Sequence, residues 1–311
     1  MEQKSLVDKI LQGDVLSAAK LMRDIENEAE GSAGLIEQIY LHTGRAAVIG
    51  VTGAPGTGKS TLIGALIRQF RSRGKTVGVV AIDPTSPYTG GAVLGDRIRM
   101  QGREVDKDVF IRSLASRGWK GGLSKATADT VHVMDAMGKD VIFVEAVGSG
   151  QVEVDIARIA DTCVIVLAPG MGDEIQMMKA GILEVADVFA VNKADRQGAE
   201  DLKTWLHTTA GMKARRGGWT PEAFLTEAVN DKGVNELADE IIRHGEFLVS
   251  GGELEARRRE RARLELMMAV EASLNSYLDR TDRTVVDNLI DELAARKTSP
   301  QKAAGQILKG L

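Results

Sequence analysis

Read for apolar and polar positions alone, the chain changes period twice. Residues 5 to 43 carry apolar side chains at helical spacing. Leu6, Ile10 and Leu11 form one stripe, and Leu16, Ala19, Leu21 and Ile25 continue the pattern, with Gly13, Gly31 and Gly34 as breaks. From 46 to about 248, short continuous apolar runs alternate with helix-length spacers, which predicts strands at 46–52, 76–82, 109–113, 140–145, 162–168, 187–191 and 222–228. Beyond Gly251 the helical period returns: Leu264, Leu266, Met267, Val270, Leu274 and Leu278 lie along one long helix with a charged beginning. Two shorter helices, Val285 to Arg296 and Pro300 to Leu308, follow it, the second opened by Ser299 as cap and Pro300 as first residue.

Apolar strands separated by helices imply an α/β fold, a mainly parallel sheet covered by helices on both faces. The expected organisation is an N-terminal helical extension over 1–44, a sheet domain over 45–250 and a C-terminal helical region over 251–311. A long helix projecting from a compact domain either packs back on that domain or buries its stripe against a second subunit.

Composition narrows the picture. With 311 residues and 43% hydrophobic content the chain can bury a sizeable core. A net charge of -4 gives no general attraction to nucleic acid or to an anionic membrane. The single cysteine, Cys163, excludes an internal disulfide and sits in the apolar run from Thr162 to Leu167, where a small core residue is expected. No apolar run approaches the length of a bilayer span, and the first residues do not read as a secretory signal. A cytoplasmic location is expected, or an organelle if the chain is a mature form.

The chemistry starts at GAPGTGKS, Gly53 to Ser60, placed between the first apolar strand and a helical run from Thr61 to Phe70. Strand, glycine-rich turn and helix in that order make a phosphate-binding P-loop, and the fold class becomes that of the P-loop nucleotide hydrolases. Backbone N–H groups of Gly53, Ala54, Pro55, Gly56, Thr57, Gly58, Lys59, Ser60 and Thr61, proline excepted, are the candidate phosphate cradle. Lys59 would bridge the terminal phosphates and Ser60 would ligate magnesium. The alternative is a glycine-rich turn that binds nothing.

Carboxylates at strand ends beside such a loop are magnesium candidates. Asp83 closes the second strand, Asp96 lies in the glycine-flanked segment after it, and Glu145 closes the buried strand VIFVE. Asp83 and Asp96 read equally as turn aspartates. After Glu145 come Gly148, whose N–H would face the terminal phosphate, and Gln151, a candidate for positioning water at a spacing from the glycine that differs from small GTPases. Gly118, Gly121 and Gly122 surround Trp119 and Lys120 in a further strand-end loop, a moving element, a partner surface or a long turn, and Ser124 would cap the helix after it.

The base is set by VNKAD. Asn192, Lys193 and Asp195 form an NKxD pattern after an apolar strand, and a carboxylate at Asp195 accepts both N1–H and the exocyclic N2–H of guanine, a pair adenine lacks. Lys193 would lay its stem over the ring and Asn192 would brace the phosphate loop. Thr226-Glu227-Ala228 stands where a Ser-Ala motif commonly contacts the base, with Ala228 as the contact candidate.

GAPGTGKST, AIDPTSP, GDRIRM, SRGWKGGLS, VEAVGSGQ, APGMGDEIQ and NKAD, in that order, resemble the MeaB/MMAA-type G-protein chaperones of cobalamin-dependent acyl-CoA mutases over most of the chain. Proteins of this family long carried the label of transport ATPases for lysine, arginine and ornithine. The resemblance implies a GTPase converting GTP to GDP and phosphate. It would govern loading, protection and release of adenosylcobalamin in an adenosylcobalamin-dependent acyl-CoA mutase such as methylmalonyl-CoA mutase, the cobalamin being bound only by that partner. It implies catalytic roles for Lys59 and Glu145. It also implies a magnesium and switch network of Ser60, Asp83, Asp96 and Glu145, and an additional switch containing Gly172, Asp173, Glu174, Gln176 and Lys179. Those switch residues read otherwise as an acidic helix cap and a solvated face. Trp119 and Lys120 depart from the family's usual residues in that loop. Homodimers through the C-terminal helices are implied as well. Two other classes compete: a GTPase for maturation of another metalloenzyme, which wants a Cys/His cluster that four scattered histidines and one cysteine do not supply, and an ATP-dependent kinase or transport ATPase, against which NKxD argues.

Overall fold

A computed structural model describes residues 2–83, 106–115, 125–146, 152–170, 182–212 and 218–308. By internal packing the chain forms two compact units, Met1–Arg261 and Ala262–Leu311.

Among the described residues seven strands lie in the first unit: β1 (Ala47–Thr52), β2 (Val77–Asp83), β3 (Val109–Ala115), β4 (Val141–Ala146), β5 (Thr162–Leu167), β6 (Val188–Asn192) and β7 (Ala223–Thr226). They form one sheet in the order β3-β2-β4-β1-β5-β6-β7, and every ladder in it is parallel. β7 is shorter than its apolar run suggests, so Glu227 and Ala228 belong to the turn beyond it.

The continuous apolar runs are explained by burial on both faces. On β5, Val164 and Val166 pack with Leu62, Ile63, Leu66 and Phe70 of α4 (Lys59–Ser72), and with Leu237 and Ile241 of α8 (Val234–Ser250). The alternate residues Cys163, Ile165 and Leu167 turn to the opposite layer, against Leu202 and Leu206 of α7 (Ala199–Met212). Cys163 is thus the small core residue its run predicted. Each fully buried Leu, Ile or Phe of these layers stabilises the fold by roughly 1.5–3 kcal/mol. Two further helices flank the sheet, α5 (Lys125–Ala136) and α6 (Val152–Ile159).

The N-terminal stretch forms α1 (Glu2–Leu11), α2 (Val15–Glu26) and α3 (Ser32–Tyr40), and α2 and α3 pack on α5. Two details depart from the sequence reading. Gly34 lies inside α3 rather than breaking it, because Leu35, Ile36 and Ile39 bury that helix. In α2 the buried face is Ser17, Ala18, Leu21, Met22 and Ile25, while Leu16 points outward, 80% exposed. The start of β1 is held by carboxylates. Asp135 accepts from the backbone N–H groups of Gly44, Arg45 and Ala46, and Asp161 accepts from that of Val48.

A second cluster of polar groups sits at the opening ends of β5 and β6. His244, fully buried on α8, has Nδ1 2.8 Å from Thr162 Oγ1 and Nε2 3.4 Å from Asp187 Oδ1. Asp187 also accepts two hydrogen bonds of 2.7 Å from the Arg257 guanidinium and one of 2.8 Å from the Cys163 N–H. Arg257 donates in addition to the Asp161 carbonyl, and Arg261 to that of Ile159, so the first turns of α9 (Glu253–Arg280) are tied to the sheet domain. Burial alone would raise the Asp187 carboxyl pKa, but Arg257 and His244 outweigh it and draw the value down to about 2.

The second unit comprises the remainder of α9 with α10 (Arg283–Ala294) and α11 (Pro300–Leu308). Asp282 caps α10 by accepting from Thr284 N, and Ser299 Oγ accepts from Lys302 N at the start of α11. Among its described residues Leu266, Met267, Val270, Leu278, Val285, Ile290 and Leu308 are exposed.

Candidate functional site

The chain leaves β1 at Thr52 and turns through Gly53 (φ 143°), Gly56 (φ 83°) and Gly58 (φ 93°) into α4. A side chain is impossible at two of these. A Cβ on Gly53 would stand 2.1 Å from the Val166 carbonyl oxygen, and one on Gly58 would stand 2.5 Å from Asn192 Nδ2. The helix starts at Lys59, two residues before the expected Thr61, so Lys59 and Ser60 occupy the first turn, where the N–H groups and the positive end of the helix dipole meet the loop. Central placement of β1, between β4 and β5, sets this loop at the carboxyl edge of the sheet where the connections diverge to either side.

Lys59 is buried and reaches back over the loop, its Nζ donating to the carbonyls of Gly53 at 2.7 Å and Ala54 at 3.1 Å. Thr57 Oγ1 also donates to the Ala54 carbonyl. Ser60 Oγ donates to Glu145 Oε1 at 2.7 Å, so the helix's first turn and the end of β4 meet directly. Glu145 is only 2% exposed. A hydroxyl and a carboxylate in contact, rooted on adjacent rigid elements, form a hard-oxygen donor set that suits magnesium.

On the other side of β1 the NKxD segment follows β6. Asn192 is 3% exposed; its Nδ2 donates to the Thr57 carbonyl at 2.8 Å, and its Oδ1 accepts from Thr226 Oγ1 and Ala228 N, each at 3.2 Å. One amide therefore joins the phosphate loop, the end of β6 and the turn after β7. Lys193 adopts a left-handed backbone (φ 58°), a strained conformation of the kind functional sites retain, and its Nζ donates to the Gly56 carbonyl at 2.5 Å. Asp195 is exposed on the same segment.

The structure thus brings together Gly53 to Thr61, Glu145, Asn192, Lys193 and Ala228 from four strand ends, with Asp195 three residues beyond Asn192. The Asp83 backbone closes β2, but its side chain lies outside the described residues. Asp96, Trp119, Lys120, Ser124, Gly148, Gln151, Gly172, Asp173, Glu174, Gln176 and Lys179 lie outside them entirely. The Thr226 hydroxyl, which supports Asn192, is not marked in the sequence. A threonine closing a short apolar strand carries no motif of its own, and only the pairing Asn192↔Thr226 shows the link.

Comparison with known proteins places the chain in a family. The family model described as methylmalonyl-CoA mutase-associated GTPase MeaB matches residues 18–282. A Pyrococcus abyssi protein named as a GTPase is 46% identical over 308 residues, covering 98% of this chain and 95% of its own. The Escherichia coli GTPase ArgK is 31% identical over 280 residues, covering 88% and 85%. The mitochondrial methylmalonic aciduria type A homolog of Caenorhabditis elegans is 30% identical over 312 residues, covering 97% and 75%. A crystal structure of an LAO/AO transport system kinase shares the fold at a TM-score of 0.72 and 24% identity, over 99% of this chain and 96% of that one. A guanine-type NKxD segment wired to a P-loop, and a family match spanning most of the sequence, lead to one conclusion: the chain is a GTPase of the MeaB family.

Proposed function

We propose that this GTPase acts as the nucleotide-dependent chaperone of an adenosylcobalamin-dependent acyl-CoA mutase, governing cofactor loading, protection and reactivation in that partner. The observation that carries the reading is the match to a family named for its association with methylmalonyl-CoA mutase. The Caenorhabditis elegans relative, named for methylmalonic aciduria, supports it.

In this reading Lys59 and the loop N–H groups hold the β- and γ-phosphates of GTP, and the first turn of α4 adds its partial positive charge. Ser60 and Glu145 would hold magnesium, with Asp83 and Asp96 as further members of the set. The ion supplies charge neutralisation on the terminal phosphates. Gln151 orients the attacking water, and Gly148 with Asp173, Glu174, Gln176 and Lys179 passes the nucleotide state to the mutase. Asp195 and Ala228 read guanine. The exposed apolar residues of α9 and α10, Leu266, Met267, Val270, Val285 and Ile290 among them, support a homodimer through the C-terminal helices. No helix among the described residues is long and apolar enough to cross a membrane; a cytoplasmic location belongs to the same proposal.

The test is a titration of the purified chain against an adenosylcobalamin-dependent acyl-CoA mutase from the same organism, with GDP, with a nonhydrolysable GTP analogue and with no nucleotide. Complex affinity and the rate of adenosylcobalamin transfer into the mutase are expected to differ between the two nucleotide forms. Equal responses to both would sink the chaperone reading while leaving the GTPase intact. Asp195→Asn tests the base contact separately. An amide donates to the 2-oxo group of xanthine where the carboxylate accepted from guanine. Preference is therefore expected to move from GTP towards xanthosine triphosphate by about a hundredfold, the loss of roughly two hydrogen bonds to a charged group. Competition binding with the two nucleotides measures it, and an unchanged ratio removes Asp195 from the site.

A further inference from the structure

Glu227 is the departure from the base-contact motif, a bulky acid where serine is usual. Its carboxylate is engaged by two partners. Asn230 Nδ2 donates to Oε2 at 2.9 Å, and Lys232 Nζ lies 3.2 Å from Oε1 and 3.0 Å from Oε2. The backbone repeats the closure: Glu227 N donates to the Lys232 carbonyl at 3.0 Å, and Asn230 N donates to the Glu227 carbonyl at 2.9 Å. Residues 227–232 therefore form a closed turn with the carboxylate laid across its mouth. The Glu227 side chain is 17% exposed, while its neighbour Val229 is 83% exposed.

Two further ties fix this turn in place. Asp231, with a left-handed backbone (φ 56°), accepts a 2.6 Å hydrogen bond from Arg68 Nη2 on α4, the helix that begins at the phosphate loop. Ala228, one residue after Glu227, is buried and donates to Asn192 Oδ1. A turn that carries Asn230, Asp231 and Lys232 and runs into Gly233 is soft by composition, and a peptide N–H can discriminate between acceptors only if the turn that carries it cannot rotate. The Glu227 clip removes that freedom. The 3.2 Å contact from Ala228 N to Asn192 is long enough for the N–H to be shared with a second acceptor.

We propose that Glu227 is a positioning residue for base recognition: by closing the 227–232 turn on Asn230 and Lys232, it holds the Ala228 amide where it meets both Asn192 and the 6-oxo group of guanine. This rests on the guanine contact assigned above to Asp195 and Ala228. It adds a side chain outside the base-contact set to the determinants of affinity. The carboxylate acts through Ala228 and touches no part of the nucleotide.

The test compares two probes by equilibrium binding to the full chain: GDP, and the diphosphate of 2-aminopurine riboside, which keeps the 2-amino group and lacks both the 6-oxo group and the N1–H. Glu227→Ala is expected to weaken GDP by about five- to tenfold, the loss of one neutral amide-to-carbonyl hydrogen bond from Ala228 to the base. The 2-aminopurine nucleotide should weaken far less, so the ratio between the two narrows. Glu227→Gln, which keeps an acceptor for Asn230, should give a smaller narrowing and guards against misfolding of the alanine variant. The exchange Glu227→Lys with Lys232→Glu should restore the wild-type ratio. A Glu227→Ala protein of normal melting temperature with an unchanged ratio, or one in which both nucleotides weaken equally, overturns the proposal, since a merely structural role would move both together. A wild-type protein that fails to distinguish the two probes instead overturns the underlying guanine contacts assigned to Asp195 and Ala228, and this inference with them.

Discussion

Lys59→Met is expected to lower single-turnover GTP hydrolysis by about a hundredfold to a thousandfold, the usual cost of removing one preorganised donor from a developing anionic charge. The geometry gives the reason. Lys59 Nζ is held within the phosphate loop by the Gly53 and Ala54 carbonyls, so the ammonium is already placed where triphosphate charge would lie. Methionine keeps the stem and deletes only the cation. The helix behind it is anchored by Leu62, Ile63, Leu66 and Phe70, so the melting temperature should change little. Hydrolysis at the wild-type rate in a folded Lys59→Met protein would take Lys59 out of the catalytic account. A fall in both rate and melting temperature would instead mark the lysine as a structural brace of the loop.

The second large effect is on stability. Asp187→Ala leaves the Arg257 guanidinium and His244 facing an emptied acceptor in the base of the sheet, and removing one partner of a buried pair costs about 3–5 kcal/mol. For a domain of this size a melting temperature lower by roughly 6–15 °C follows. The pH dependence fixes the mechanism. The folded Asp187 pKa, about 2, lies below its ordinary value of 3.8, so its ionisation favours the folded state. That contribution, about 2 kcal/mol, is fully present above pH 4 and is lost as pH falls through about 2. The stability gap between wild type and variant in denaturant unfolding should accordingly narrow by about 2 kcal/mol as pH falls from 4 to below 2. A gap that stays constant over that window would assign the loss to packing rather than charge.

Both predictions sit on features of very different legibility. The strands could be read because a parallel sheet buried on both faces needs continuous apolar runs, and Val164, Val166, Cys163, Ile165 and Leu167 supply one for two opposite layers. The phosphate loop could be read because its contacts are local in sequence: glycines, lysine and serine fall within eight residues. The NKxD segment was legible as chemistry, but not as wiring. Nothing in the sequence says that Gly58 must lack a side chain because Asn192 lies against it. The Thr162, Asp187, His244 and Arg257 cluster was invisible for the same reason. Each residue comes from a different segment, and buried ion pairs have no spacing rule. Leu16 and Gly34 misled in the opposite direction, since a periodic stripe gives a helix but not how its face is rotated or how much a single glycine weakens it.

The strand order carries a consequence for biosynthesis. β1 pairs on one side at Ala47↔Val141 and on the other at Ile49↔Thr162, so neither neighbour exists while the ribosome is still making the first third of the chain. The glycine turn is therefore translated early and given its shape late, once two distant segments have emerged and closed around it. Until then the emerging polypeptide exposes an unpaired apolar strand with an unformed nucleotide cradle.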